Sequence, residues 1–155
     1  MLSSDAGWQY RPAELPLNTA VEHYGVTDMS SALVSSLIAA IERGDLDHAL
    51  THLTDDCEYD NVPFGKVVGR EAIRAILAPL LARFDRVEWI VHHQVTSGNL
   101  DHGIVMNERL DRFRAGKTWH EIRIAGLFVV RHGQISLWRD YFDRDALLGM
   151  LADSA

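Results

Sequence analysis

Residues 104–143 run IVMNERLDRFRAGKTWHEIRIAGLFVVRHGQISLWRDYFD, a stretch of long β-type segments separated by two turn signals. The turn signals are Ala115-Gly-Lys117 and His132-Gly133. Consecutive strands joined by such short connections pair antiparallel, so this stretch predicts a meander. The strands predicted here are 104–114, 119–131 and 134–141.

The chain before this meander is mainly helical, because apolar residues recur at helical spacing over 30–43 and again after Gly69. Gly44 indicates a helix end, Asp55-Asp56 indicates a turn, and Pro79 should bend or shorten the third helix. Helices followed by long antiparallel strands predict an α+β fold, in which a curved sheet with helices on one face forms a cone with a pocket at its mouth. The other predicted elements are a short helix from Asp45 that includes Leu53, a strand over 57–62, a strand over 87–95 and a helix over 143–151.

Length and charge limit the classes of protein that this chain can represent. Its 155 residues suit one domain, and its net charge of -7 argues against nucleic acid or an anionic membrane surface as a partner. No apolar run approaches the roughly 18 residues of a membrane span, and the single Cys57 excludes an intramolecular disulfide. Residues 1–28 lack the order of a signal peptide. We interpret them as an extension, flexible or a leader, before a single domain over 29–155, and we expect a cytoplasmic protein.

Charged and polar residues occupy strand positions where apolar residues are expected. Arg109 and Asp111 lie two positions apart on one predicted strand, and Asp140 lies on another. Tyr59 and Asn61 are also two positions apart, on the first short strand. Since alternate residues of a strand point to one face, each of these pairs shares a face. Together they supply a hydroxyl, an amide, a guanidinium and two carboxyls.

Such a set could carry out proton transfer, because buried charges are costly unless they are paired. An ionised Asp140 could accept a proton from a water molecule that Tyr59 and Asn61 orient, while a protonated Asp111 donates to a leaving oxygen. Arg109 could bridge the two acids, which would titrate as a coupled pair that retains one proton. This chemistry suits a strained electrophile such as an epoxide, and it needs no metal and no covalent intermediate.

The same residues also allow a purely structural interpretation. Arg109 and Asp111 could form a salt bridge on the surface of the sheet, and Asp140 could pair with Arg139 or Arg123. The polar residues of the first strand could be turn or edge residues. The pattern by itself leaves both interpretations open.

Three segments resemble the signature segments of the limonene-1,2-epoxide hydrolase family. They are Tyr59-Asp-Asn61, Glu108-Arg-Leu-Asp111 and Leu137-Trp-Arg-Asp-Tyr-Phe142, in the family's order and at similar spacings, and the match covers about residues 30–152. The resemblance implies a mixed, mostly antiparallel six-stranded sheet wrapped around three or four helices, of the nuclear-transport-factor-2-like or cystatin-like type. It also implies a homodimer and cofactor-independent, one-step hydrolysis of an epoxide to a vicinal diol.

The resemblance also implies a role for each matching residue. Tyr59, Asn61 and Asp140 would hold and activate water, Arg109 would position both acids, and Asp111 would donate the proton. All of these residues are present in the chain. The implied partners are therefore a small hydrophobic epoxide and water.

Apolar side chains should line the pocket and raise the proton affinity of Asp111 by removing water from it. Phe113 and Phe142 are the strongest candidates, because they share strand faces with Asp111 and Asp140. The full set of predicted substrate-binding residues is Leu37, Ile41, Val62, Phe64, Leu77, Leu80, Leu81, Phe113, Ile122, Ile124, Trp138, Phe142 and Leu147.

Two other functions compete with this one: an isomerase or cyclase of the ketosteroid-isomerase or polyketide-cyclase type, and a non-catalytic module that binds a small molecule. The first does not need an arginine between two acids, and the second has no reason to bury them.

No metal is expected, because His48 and His52 have a suitable spacing but no carboxylate in register. Acidic neighbours should raise the pKa of Cys57 and keep its thiol unreactive. The chain has no phosphate-binding loop and no Gly-x-Ser-x-Gly elbow.

Overall fold

Four helices and six strands make up residues 29–153, the part of the chain that the structure, a computed structural model, describes. The prediction of an α+β fold is thus confirmed, whereas the predicted extension over residues 1–28 lies outside the described residues. In chain order the elements are α1 (Met29–Glu42), α2 (Leu46–Thr51), β1 (Leu53–Asn61), β2 (Gly65–Val68), α3 (Arg70–Leu81), β3 (Arg86–Gly98), β4 (His102–Ala115), β5 (Thr118–Arg131), β6 (Gln134–Phe142) and α4 (Arg144–Asp153).

All six strands belong to one mixed sheet in the order β2-β1-β6-β5-β4-β3. The pairs of the predicted meander, β4 with β5 and β5 with β6, are antiparallel, whereas β1 and β6 run parallel. The parallel pairing places Tyr59 opposite Trp138 and Asn61 opposite Asp140. The first and last strands of the described residues, β1 and β6, are thereby neighbours inside the sheet.

One face of this sheet carries the core. Burial alternates along β4, where Val105, Arg109 and Asp111 point to the covered side, which we call the inner face. The buried residues of α1 and α3 belong to the same hydrophobic cluster as Phe128 and Trp138 of β5 and β6. The helices therefore cover most of the inner face and remove its buried side chains from bulk water.

The structure corrects several details of the predicted elements. The turn expected at Asp55-Asp56 is wrong, because β1 begins at Leu53 and both aspartates lie within it. Their side chains point outward to basic partners, Asp55 to Arg70 and Asp56 to Arg131. Leu53 therefore belongs to this strand and not to the second helix.

Two further differences concern β2 and α3. The strand β2 was not predicted, because it has only four residues, most of them exposed, and shows no apolar alternation. Pro79 lies inside α3, which ends two residues later at Leu81. Among residues 29–153, no helix combines the length and the apolar character that crossing a membrane requires.

Candidate active site

The guanidinium of Arg109 lies between the carboxylates of Asp111 and Asp140 on the inner face. Its Nε donates to Asp111 Oδ1 at 2.8 Å and its Nη2 to Asp111 Oδ2 at 3.3 Å. On the other side, Nη2 donates to Asp140 Oδ2 at 2.7 Å and Nη1 to Asp140 Oδ1 at 3.1 Å. The remaining N–H of Nη1 donates to Asn107 Oδ1 at 3.3 Å. All five donors of the guanidinium thus have an acceptor, and each acid is held by two bonds.

This cluster is buried, which rules out the interpretation of a salt bridge on the sheet surface. The side chains of Arg109, Asp111 and Asp140 are 0%, 2% and 3% exposed. Two alternative partners were expected for Asp140, Arg139 and Arg123, but its carboxylate bonds Arg109 and Trp138 instead. Arg139 points to the opposite face of the sheet, where it bonds Asp60 at 2.7 Å. An arginine with two buried acids is an arrangement that a stable fold does not need, because apolar packing would serve as well.

Aromatic rings complete the shell around the acids. The indole Nε1 of Trp138 donates to Asp140 Oδ2 at 2.9 Å, so this carboxylate has a third fixed donor. The Tyr59 ring packs on Trp138 with a centroid distance of 4.5 Å. The Arg109 guanidinium carbon lies 4.8 Å from the Trp89 ring centroid, a cation–π contact. These rings exclude water from the charged cluster and restrict its motion.

An apolar cavity of about 460 Å³ opens beside the acids. Tyr59, Asn61, Asp111 and Asp140 all line it, whereas Arg109 lies behind the two carboxylates. The structure therefore brings together every residue that the sequence suggested for catalysis, with four of them facing one space. The predicted apolar residues that line the cavity are Phe64, Leu77, Leu80, Phe113, Ile122, Ile124, Phe142 and Leu147.

The other predicted substrate-binding residues lie outside the cavity wall. Leu37 and Ile41 lie on the buried face of α1, within the core, and Trp138 is turned toward Asp140. Val62 lies exposed in the turn after β1, and Leu81 packs against the core at the end of α3. Helical periodicity identifies an apolar face, but it does not tell which of its residues touch the core and which touch a cavity.

Several lining residues were not predicted. Val67 was missed because β2 was missed, and Trp89 because its position opposite Asp111 depends on the register of β3. Leu148 and Leu151 follow the predicted Leu147 on α4 by one and four positions, and helical spacing could have suggested Leu151. The remaining unpredicted lining residues are Gly65, Lys66, Ile76, Pro79 and Arg83.

Burial controls the electrostatics of the site. Burial raises the pKa of Asp111 to about 7. Repulsion from Asp140 and Glu42 also raises this pKa, whereas the attraction of Arg109 lowers it. Burial also raises the pKa of Tyr59, and Asp140 adds to this effect, so the phenol stays neutral. For Arg109, burial lowers the pKa, but the two acids raise it overall and keep the guanidinium charged. A proton can therefore reside on Asp111 near neutral pH.

The other titratable groups among the described residues show no comparable arrangement. Burial, with added repulsion from the neighbouring Asp56 and Glu58, raises the pKa of Cys57 to about 12, so its thiol is protonated and unreactive. The rings of His48 and His52 meet edge-on at a centroid distance of 4.9 Å. Within the described part of the chain, no group of three or more His, Cys, Asp or Glu residues could hold a metal ion.

Most of this chain is similar to known proteins of one family. The family model of the limonene-1,2-epoxide hydrolase catalytic domain matches residues 29–152. The epoxide hydrolase EphG of Mycobacterium tuberculosis is 31% identical over 119 residues, 76% of each chain. A solved structure of a limonene-epoxide-hydrolase-like epoxide hydrolase from M. tuberculosis is 27% identical, with a TM-score of 0.66 over 81% of this chain and 91% of that one.

A more distant structure shows how widely the fold is shared. A protein described as a SnoaL-like polyketide cyclase, from Shewanella putrefaciens, has a TM-score of 0.70 at 15% identity, covering 84% of this chain and 90% of that one. At this identity the match concerns the fold alone.

The raised pKa of Asp111 predicts a pH-dependent stability difference between the wild type and the Asp111→Asn variant. The native carboxyl keeps its proton up to about pH 7, whereas an aspartate in an unfolded chain loses it near pH 4. Between these values the native state holds more protons, so the wild-type free energy of unfolding falls as the pH rises. The variant lacks this titration, so we expect it to gain stability relative to the wild type from pH 5 to pH 8 in urea unfolding.

The control for this measurement is Asp145→Asn, because the Asp145 side chain is 92% exposed and lies outside the site. A stability difference between Asp111→Asn and the wild type that is equal at pH 5 and pH 8 would contradict the prediction.

Proposed function

This chain belongs to the limonene-1,2-epoxide hydrolase family, and we propose that it is a cofactor-independent epoxide hydrolase that adds water to an epoxide in one step to give a vicinal diol. The observation that carries the proposal is the pair of buried acids, Asp111 and Asp140, bridged by Arg109 at the wall of an apolar cavity. The two acids differ in environment, and this difference assigns them different roles.

Asp140 is the proposed base that activates water. Arg109 and Trp138 donate three hydrogen bonds to its carboxylate, and these bonds fix its orientation. Tyr59 and Asn61 face the same cavity, so a water molecule could be held between them and Asp140. Positioning a nucleophile in this way removes much of the entropic barrier to attack.

Asp111 is the proposed acid. Its raised pKa allows it to hold a proton that it can donate to the epoxide oxygen. In one step, Asp140 takes a proton from water while the water oxygen bonds to an epoxide carbon. The bond between that carbon and the epoxide oxygen breaks, its electron pair stays on the oxygen, and the oxygen takes the proton from Asp111. A proton must then return from Asp140 to Asp111 before the next turnover. Arg109 contacts both acids and balances the negative charge in either state.

The competing functions fit this site less well. An isomerase or cyclase that removes a proton from carbon needs a base and an oxyanion donor, and Arg109 would neutralise the base without contacting the substrate. A non-catalytic binding module gains nothing from two acids whose desolvation costs several kcal/mol. The cavity lining supports a small apolar substrate, since its walls are mostly aliphatic and aromatic.

A homodimer is the assembly we propose, through the outer face of the sheet. Val95 and Met106 lie opposite each other on β3 and β4 and are 66% and 47% exposed. Met106 pairs in turn with Leu127, and the exposed Ile104 pairs with Val129 on β5. These residues form an apolar patch across three strands, and such a patch is a common feature of protein interfaces. It faces away from the cavity, so each subunit would keep its own site.

Replacement of either acid should abolish diol formation. In Asp140→Asn the base is lost, and in Asp111→Asn the acid is lost, so we expect kcat to fall by about 10³-fold or more in each variant. Chiral chromatography of the diol from a panel of epoxides, with circular dichroism as a test of folding, provides the measurement. The matched control is Asp60→Asn, since Asp60 lies on β1 between the two site residues but points to the outer face. Full activity in either acid variant would refute the assigned roles.

A single turnover in ¹⁸O-labelled water should place the label in the diol. The proposed step is a direct attack by water, so no ester forms on an aspartate. Mass spectrometry of the diol and of the peptides that contain Asp111 and Asp140 measures both fates of the label. Label in a carboxylate after one turnover would indicate a covalent intermediate and a different mechanism.

The protein should have twice its chain mass of 17.4 kDa in solution. Light scattering coupled to size-exclusion chromatography measures this mass. Met106→Lys places a charge in the centre of the apolar patch and should yield monomers, whereas Val68→Lys, at an exposed position on β2, should leave the dimer intact. A wild-type mass near that of one chain would count against the dimer.

A further inference from the structure

The position of the Arg109 guanidinium depends on two residues that do not line the cavity, Asn107 and Gly126. Gly126 lies opposite Asn107 in the β4–β5 register and opposite Asp140 in the β5–β6 register. The guanidinium therefore reaches Asp140 by crossing over the backbone of β5 at Gly126.

Only a residue without a side chain leaves room for this crossing. A Cβ atom at Gly126 would lie 2.7 Å from Asn107 Oδ1 and 3.1 Å from Asp140 Oδ1, and it would overlap Arg109 Nη1. The backbone of Gly126 does not have the positive φ that favours glycine, since it continues β5 as an ordinary strand residue. The space that Arg109 occupies, and not the conformation of the chain, explains this glycine.

Asn107 holds the opposite side of the guanidinium. It is 5% exposed, and its Oδ1 accepts from Arg109 Nη1. Its Nδ2 donates to Gln94 Oε1 at 3.3 Å, and Gln94 Nε2 in turn donates to Ser31 Oγ on α1. Because an amide has one oxygen to present, the bond to Gln94 orients Asn107 so that its oxygen faces Arg109. A chain of polar contacts thus runs from α1 through β3 to the active site.

The contact with Gln94 depends on an irregularity in β3. The register of β3 against β4 shifts between Val91 and His93, and after the shift Gln94 lies opposite Asn107. A β-bulge of this kind redirects the side chains that follow it. If the register continued from Val91 without the shift, Gln94 would lie opposite Met106 on the outer face and could not reach Asn107.

We propose that Asn107 and Gly126 are positioning residues that hold the Arg109 guanidinium midway between Asp111 and Asp140 and thereby determine which acid keeps the proton. The catalytic meaning of this inference rests on the proposed epoxide hydrolysis. Each acid is held by two hydrogen bonds from one cation, so a movement of the cation toward either acid strengthens its hold on that acid and weakens its hold on the other. A displacement of about 1 Å is enough to cost about 10²-fold in rate.

Gly126→Ala tests the clearance. The added methyl group should displace the guanidinium, so we expect kcat to fall by about 100-fold with KM within about threefold, because neither residue touches the substrate. Gly149→Ala is the matched control, since a Cβ there meets no atom within 4 Å. A folded Gly126→Ala enzyme with kcat within threefold of the wild type would overturn the proposal.

Asn107→Asp tests the positioning with a readout that a merely structural role would not move. The substitution keeps the shape of the side chain but adds an anion that attracts Arg109 away from Asp111, so the proton affinity of Asp111 should rise. We expect the Asp111 carboxyl, followed by ¹³C NMR, to titrate at least one pH unit higher than in the wild type. The titratable and charged groups that face this carboxyl or line its cavity are Arg109, Asp140, Tyr59, Glu42, Lys66 and Arg83.

The NMR titration separates this proposal from the proposed function, because it requires no turnover. Asn99→Asp makes the same change of charge in an exposed turn and should leave the titration of Asp111 unchanged. An Asp111 titration that is the same in Asn107→Asp and in the wild type would overturn the positioning role, even if Gly126→Ala fails to fold. A shifted titration in a protein that hydrolyses no epoxide would support the positioning role and contradict only the assigned reaction.

Discussion

A single buried guanidinium, shared by two carboxylates, is the interaction on which the rest of this site depends. Removing water from buried charged groups costs far more than one ion pair returns, unless every hydrogen bond is made. Arg109 meets that condition by donating all five N–H groups to Asp111, Asp140 and Asn107. Loss of one partner would leave a buried charge uncompensated and would lower the free energy of unfolding by about 3–5 kcal/mol. The hydrogen bonds of this cluster therefore restrict which strand registers the sheet can adopt.

The sheet satisfies this constraint through its register. Arg109 and Asp111 are neighbours on β4, but Asp140 lies two strands away on β6, and Gly126 on the intervening β5 provides the passage. The parallel pairing of β1 with β6 then adds Tyr59 and Asn61 on the far side of Asp140. Helices and aromatic rings cover the inner face, and this cover raises the pKa of Asp111. The same burial that costs stability thus produces an acid that holds a proton near neutral pH.

Much of this arrangement could be predicted from residue patterns. Alternation along the strands placed Arg109 with Asp111 on one face, and the resemblance of three short segments suggested which residues act together. The sequence was less informative where a residue's role depends on its neighbours in space. Leu37 and Ile41 have the pattern of a pocket wall but lie in the core, whereas Trp89 lies on the cavity because of the β3 register. The strand β2 is too short and too exposed to have a periodic signal.

The sequence alone determined the local part of this protein: which of the longer segments form strands, which residues share a face of such a strand, and which chemical groups are present. These properties follow from the two-residue period of a strand and from side-chain chemistry, both of which are local. Only the tertiary structure decided that Asp140 meets Arg109, that Gly126 makes room for the contact, and that Asn107 completes it. Those outcomes depend on which strands are neighbours and in what register, and such long-range pairings are set by the packing of the whole sheet against its helices.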